Sequence, residues 1–283
     1  MINNKLIYDI GLHLGYDTKL YLDKGYNVVA IEANPFLIEN SKKKFKKELK
    51  TGNVQLLNIA ISNNDNQKLP FYISKSRSIQ SSLQKSMAER NSEIIQIEVE
   101  TFKLSTIIEK YGIPYYCKID IEGYDYIALE SLINTEKMPK FISAEISNLS
   151  VEGKTGEEIA DINELFSIWL SILNRLKALG YIKFKVVEQG TLNVLNTHNI
   201  EKSKFSNNII SRVFRKLKRV LICWNFCPSL NFGFVSDCSG PFGDELAGTW
   251  STYEEAEEII KKYGLFMYNN GINVIWCDIH ATK

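Results

Sequence analysis

The chain has 283 residues, 45% of them hydrophobic and 24% charged, with a formal net charge of +1. That length suits one large α/β domain with insertions, or one domain plus a small cap. The near-neutral balance excludes a global pull toward nucleic acid or membrane, so any such reading must rest on a local patch. Five cysteines (Cys117, Cys223, Cys227, Cys238 and Cys277) form no CxxC pair. This argues against a zinc knuckle or disulfide framework and for reduced thiols in the cytoplasm. The opening residues MINNKLIYDIG run almost directly into a strand, and no signal peptide is expected from them. No apolar run reaches the ~18 residues that a bilayer span requires.

Residues 6–17, LIYDIGLHLGYD, read as an apolar strand that stops at Asp9, a tight turn bracketed by Gly11 and Gly15, and the start of a helix. The helix runs over 18–24 and is closed by Gly25. Residues 27–31 (NVVAI) are a second buried strand ending at Glu32, and 35–49 are a charged amphipathic helix. A third strand covers 54–61 (VQLLNIAI), and 71–74 form a hairpin arm or edge strand. Residues 75–91 turn to Ser, Gln, Lys and Arg and read as a loop. A strand over 94–99, a helix over 104–111, a strand over 115–121 (YYCKIDI) and a helix over 126–132 follow. Next come a strand over 140–146, a long helix over 156–179 capped by Gly180, and a strand over 181–187. Alternation of this kind predicts a doubly wound, mostly parallel Rossmann-like sheet.

The last third breaks the rhythm. Residues 207–223 form an amphipathic helix whose polar side carries Arg212, Arg215, Lys216, Lys218 and Arg219. A glycine- and aromatic-rich loop over 239–250 (SGPFGDELAGTW), a helix over 253–263 and a last strand over 272–279 complete the chain. The expected organisation is a core over 1–195, a C-terminal cap insertion over 196–270, and a final core strand over 271–283.

A strand that stops at a glycine turn and enters a helix presents backbone N–H groups where open α/β sheets bind nucleotide-like cofactors. The spacing here is Asp-x-Gly-x-x-x-Gly, and His13 stands where a dinucleotide fingerprint has its middle glycine. Glu32, at the end of the second strand, suits both hydroxyls of an unphosphorylated ribose, which fits NAD and S-adenosylmethionine equally. No Walker lysine follows the turn. Asn58, Ala60 and Ser62 close the third strand, where an adenine edge would lie. Asp120, Glu122 and Glu145 end later strands and are expected to converge on one cleft. If the donor is a sulfonium, its methyl group is already activated, and the enzyme must align the displacement and relieve the acceptor hydroxyl of its proton. Asp120, Glu122, Glu145 and His280 are the candidates for that work, with helix capping by Glu122 and a structural ion pair at Glu145 as the plainer readings. A divalent metal could assist, and the sequence leaves that requirement open.

Several ordered stretches together resemble the FkbM family of S-adenosylmethionine-dependent methyltransferases. DIGLHLGYD is similar to that family's DxGANxG opening, IEANP to its acidic second-strand end, and NIAIS to its third-strand end. KIDIEGYD over 118–125 resembles KIDxEGxE, and Ser81-Ser82-Leu83 resembles a family SSL element. His13 and Leu12 depart from the usual Asn and Ala. The resemblance implies a class I methyltransferase fold and O-methylation of hydroxyls in glycans or secondary metabolites. It carries the donor site onto Asp9, Gly11, Gly15, Asp17, Glu32, Asn58 and Ser82, with Asp17 meeting the donor's amino group. The expected partner is a small-molecule acceptor, a sugar or nucleotide-linked sugar, whose diphosphate the basic helix from Asn207 could meet. Nucleic acid and stable membrane insertion are not expected, and the oligomeric state is open. Two competing classes are an NAD-dependent oxidoreductase, for which no Tyr-x-x-x-Lys pair follows a mid-chain strand, and a binding module that docks the basic helix on anionic lipid.

Overall fold

The structure is a computed structural model that describes residues 1–76, 78, 81–89, 93–146, 161–200, 209–227 and 238–283. The chain forms two compact units, Met1–Ile142 and Ser143–Lys283. The boundary expected after residue 195 therefore falls inside the second unit.

In the first unit, β1 (Ile2–Ile10), α1 (Tyr16–Asp23), β2 (Asn27–Ile31), α2 (Pro35–Lys44), α3 (Lys46–Thr51) and β3 (Val54–Leu57) come first. They are followed by β4 (Ala60–Ile61), β5 (Gln67–Ser74), α4 (Lys85–Ala88), β6 (Ile94–Phe102), α5 (Leu104–Tyr111), β7 (Ile113–Ile119) and α6 (Asp125–Glu130). β8 (Phe141–Glu145) straddles the boundary. The main sheet of this unit runs β3-β2-β1-β7 with every pairing parallel, as the strand–helix alternation predicts. Its strands are apolar without alternation because both faces are covered: the last five residues of β1 and the last four of β2 are all buried.

Two departures from the expected elements place the site. The strand expected over 54–61 is two strands in two sheets. β3 closes the parallel sheet, and β4 pairs with β6 in a small sheet ordered β4-β6-β5, packed around Ala60, Phe71, Ile73 and Val99. The break falls at Asn58, whose side-chain amide donates to the carbonyls of Glu32 (2.9 Å) and Ala33 (3.0 Å). The helix expected over 35–49 is likewise divided at Phe45, whose ring is fully buried. A Cβ at Gly15 would lie 2.8 Å from that ring, so only glycine leaves Phe45 its place under the turn.

In the second unit, α7 (Ile162–Ala178), β9 (Lys183–Glu188), β10 (Asn193–Val194) and α8 (Ile209–Phe226) are followed by α9 (Tyr253–Asn269) and β11 (Cys277–Thr282). A 3-10 turn at Gly243–Glu245 lies within the glycine-rich stretch. β9 pairs antiparallel with β10 and β11, and Ile146 N–H donates to Cys277 O at 2.8 Å. The expected helix start at 156 lies outside the described residues, and α7 begins after the Asp161 cap, which accepts from Asn163 N–H at 2.7 Å. α9 runs on past the expected end at 263, through Gly264, where it touches α7 closely. A Cβ there would lie 2.2 Å from the Trp169 ring of α7. Among the described residues, no helix is long and apolar enough to cross a membrane.

Candidate active site

β1 and β7 are parallel neighbours, and their register sets Asp9 opposite Lys118. Lys118, next to last in β7, is buried, and its Nζ lies 3.7 Å from Asp9 Oδ1, 3.3 Å from Asp17 Oδ2 and 3.2 Å from Asp120 Oδ2. A buried ammonium needs such partners, because desolvation without them costs several kcal/mol, roughly. Burial alone would lower the lysine, but Asp120, Asp17 and Asp9 together hold it well above its ordinary range. Asp9 is fully buried and accepts a hydrogen bond from Thr18 Oγ1 at 2.6 Å. Burial pushes its carboxyl up to about 6 against the pull of Lys118. Asp17 is buried too, while the Asp120 side chain is 35% exposed. Three carboxylates thus share one ammonium, and Asp120 is the member open to solvent.

The glycine turn sits on the same strand ends. Gly11 and Leu12 both donate to Ile31 O, at 3.0 and 2.9 Å. Gly11 has φ +93°, and a Cβ there would fall 1.8 Å from the Asp120 carbonyl oxygen, so the turn after β1 presses directly on the end of β7. His13 adopts φ 47° and its N–H donates to Glu32 Oε2 at 2.9 Å, while Asn34 N–H donates to Oε1 at 2.8 Å. His13 therefore serves the acid through its backbone, and its ring Nε2 lies 2.8 Å from Ser78 Oγ. Burial raises Glu32, opposed by these backbone donors. A carboxylate has about four lone-pair sites, so Glu32 retains acceptor capacity beyond these backbone bonds, which is what a ribose diol requires.

Ser82 and Asn58, expected at the donor, are tied into the protein. Ser82 pairs with Tyr72 through both backbone groups, donates from Oγ to Glu122 O at 2.9 Å, and accepts from Gln84 N–H at 3.0 Å. It thereby holds the turn in which Glu122 (φ 48°) and Gly123 (φ 93°) are both left-handed. Tyr124, not Glu122, is the cap residue of α6. Asn58, as above, holds the backbone just past Glu32.

Glu145 and His280 belong to the second unit. Glu145 ends β8 and is half-buried. His280 is buried in β11 opposite Lys185, and burial together with that lysine pushes it down to about 3. Such a ring is neutral near pH 7 and a weak proton acceptor, since an effective base has a pKa near the working pH. Lys185, itself buried, donates to Leu246 O at 2.7 Å and lies 4.6 Å from the Trp250 ring centre. Among the described residues, no group of three or more His, Cys, Asp or Glu side chains is arranged to hold a metal ion.

Lys118 is the residue that sequence reasoning quoted without assigning it work. The sequence carries the signal for it: a lysine inside the apolar strand YYCKIDI needs an acidic partner, and Asp9, Asp17 and Asp120 are acids at or near strand ends.

The Methyltransferase FkbM domain model matches residues 9–183. No match is found among curated proteins. PKMT2 from Rickettsia typhi is a similar solved structure, at 10% identity and TM-score 0.37, with 99% of this chain and 49% of that chain covered. The same protein in complex with AdoHcy aligns at 12% identity and TM-score 0.35 over 99% of this chain and 49% of that one. A third is coclaurine N-methyltransferase bound to N-methylheliamine and SAH, at 13% identity and TM-score 0.30, covering 98% of this chain and 66% of that one. The chain spans about half the length of the PKMT2 structures it matches.

Proposed function

The chain belongs to the FkbM methyltransferase family, and from that premise we propose that it is an S-adenosylmethionine-dependent O-methyltransferase acting on a sugar hydroxyl. The observation that carries the reading is the cluster of Asp9, Asp17 and Asp120 around Lys118, one turn away from Glu32. The surplus negative charge of that cluster favours a cationic ligand. The buried carboxylate of Glu32 suits an unphosphorylated ribose. Those residues fit the donor.

Glu32 would accept from the ribose hydroxyls and Asp17 would meet the donor's amino group. Asn58 and Ser82 act as positioning residues, the first through the Glu32 backbone and the second through the Glu122 turn. S-adenosylmethionine supplies, when bound, a methyl group already activated on a sulfonium. The protein must align the acceptor oxygen and take its proton. Asp120 is assigned to that proton: Lys118 grips its Oδ2, which orients the carboxylate and leaves Oδ1 as the acceptor. Glu122 and Glu145 are the other candidate acid–base groups, whereas His280, buried and lowered to about 3, is a poor proton acceptor. Support for a sugar comes from the family and from the aromatic, glycine-rich stretch that ends at the half-buried Trp250, since aromatic faces stack on sugar rings.

The test is incubation with labelled donor and a panel of nucleotide-linked sugars, alongside thermal shifts with S-adenosylhomocysteine and NAD. Label in a sugar and a shift with S-adenosylhomocysteine alone are expected. A shift with NAD alone would overturn the donor assignment, and label only in other hydroxyl compounds would overturn the sugar.

A further inference from the structure

We propose that α8 docks the protein on the surface of an anionic lipid membrane, lying in the interface rather than crossing it. The proposal stands apart from methyl transfer, since every residue it uses lies outside the donor site.

α8, IISRVFRKLKRVLICWNF, carries Arg212, Arg215, Lys216, Lys218 and Arg219 and no acidic residue. One face anchors it within the second unit. Val220, Cys223 and Cys227 are buried, and the Cys223 and Cys238 sulfurs lie 3.0 Å apart. Arg219 donates to Gln189 O at 2.5 Å and to Cys238 O at 2.8 Å, and Phe226 packs edge-on against Phe242 with ring centres 5.8 Å apart. This face fixes the helix, so the side chains on the other face are presented on a rigid element.

On that other face Val213, Phe214, Leu217, Leu221 and Trp224 are all between 49% and 66% exposed. At ~100° per residue these five positions fall within an arc about 100° wide, with Lys216 beyond one edge and Lys218 beyond the other. Single exposed leucines need no explanation, but five large apolar side chains in one stripe mark an interaction surface. A stripe of Phe, Leu and Trp flanked by lysines, with no acid on the helix, is the pattern of a helix that lies in a lipid headgroup layer. The aliphatic stems of lysine cover the apolar margin while their ammonium groups reach the phosphates. Charge complementarity selects this occupant over a second copy of the chain: pairing two such stripes would bring two uniformly cationic helices together.

The experiment is co-sedimentation of the full chain with vesicles of phosphatidylcholine alone and of phosphatidylcholine mixed with phosphatidylglycerol. Binding to the anionic vesicles, weakened by salt, is expected. Each cation withdrawn from the surface lowers partitioning about fivefold, so Lys216→Ala with Lys218→Ala costs about 25-fold. Phe214→Ser with Leu217→Ser abolishes binding while leaving thermal unfolding unchanged, because both side chains are already exposed. Absence of binding to anionic vesicles would overturn the proposal, as would binding indifferent to these substitutions. A concentration-dependent dimer in sedimentation that the serine variant dissolves would overturn it in favour of self-association. Affinity for S-adenosylhomocysteine, measured without vesicles, separates failure here from failure of the proposed activity.

Discussion

Lys118 faces Asp9 across two parallel strands, and the same ammonium that comes within 3.7 Å of that buried carboxylate reaches Asp17 and Asp120 at 3.3 and 3.2 Å. One cation therefore decides whether three acids from the ends of β1, α1 and β7 can be brought together.

Removing it should be costly. Lys118→Met keeps the length of the side chain but leaves Asp9 and Asp17 buried without their counter-charge. A loss of ~3–5 kcal/mol in unfolding free energy is expected, as for breaking a buried ion pair from one side. Denaturant titration measures it, and a variant as stable as the parent would remove Lys118 from its central place.

Asp120 separates chemistry from binding. With Asp120→Asn the shape of the site is kept and the proton acceptor is lost. Turnover should fall by about 10²–10⁴-fold, the usual contribution of a positioned base. Calorimetry with S-adenosylhomocysteine should find donor affinity largely retained. Unchanged turnover would exclude Asp120 as the base.

Glu32 should show the opposite division. In Glu32→Gln a donor NH2 replaces one carboxylate oxygen, so either His13 N–H or Asn34 N–H loses its acceptor, and the ribose is offered one acceptor fewer. Donor affinity is expected to drop by roughly 10–100-fold, the worth of a hydrogen bond to a charged group. The same calorimetric titration checks it, and a variant that binds S-adenosylhomocysteine as the parent does would take Glu32 out of the donor site.

Stability against pH carries two opposed contributions. Asp9 is raised from 3.8 to about 6, so the folded chain holds that proton more tightly than the unfolded one. Its favourable share is present below 3.8 and lost as pH rises through about 6. His280 is lowered from 6.5 to about 3, so the unfolded chain takes the proton first as the solution is acidified. Its share is present above 6.5 and lost as pH falls toward 3. His280→Gln isolates the second. Between about pH 7.5 and pH 5 the parent should lose about 2 kcal/mol more than this variant, at ~1.4 kcal/mol per unit. Denaturant midpoints at the two pH values measure the difference, and equal losses would mean that His280 is not buried neutral.

Much of this was legible before the fold was known. The strand–turn–helix over 6–17, the acid ending β2, and the helix at Leu104–Tyr111 all lie where periodicity and turn chemistry place them. These are local statements: an apolar run reports burial on both faces, and a glycine reports a backbone that no other residue adopts cheaply. The division of 54–61 between two sheets was not legible, because all but two of its residues are apolar and apolarity does not name a partner strand. The family resemblance carries Ser82 and Asn58 to the donor site, and in the structure their hydrogen bonds run to the Glu122 and Glu32 backbones, a detail of tertiary contact that residue type does not report.

By itself, then, the sequence determined the parallel α/β class, the turn after β1 and which acids stand at strand ends. Only the tertiary structure decided that Lys118 joins Asp9, Asp17 and Asp120, that His13 serves Glu32 through its backbone N–H, and that α8 turns an apolar stripe outward. The physical reason is one of range. Propensity and periodicity act within a few residues, while an ion pair between positions 9 and 118 exists only after strand register has set them side by side.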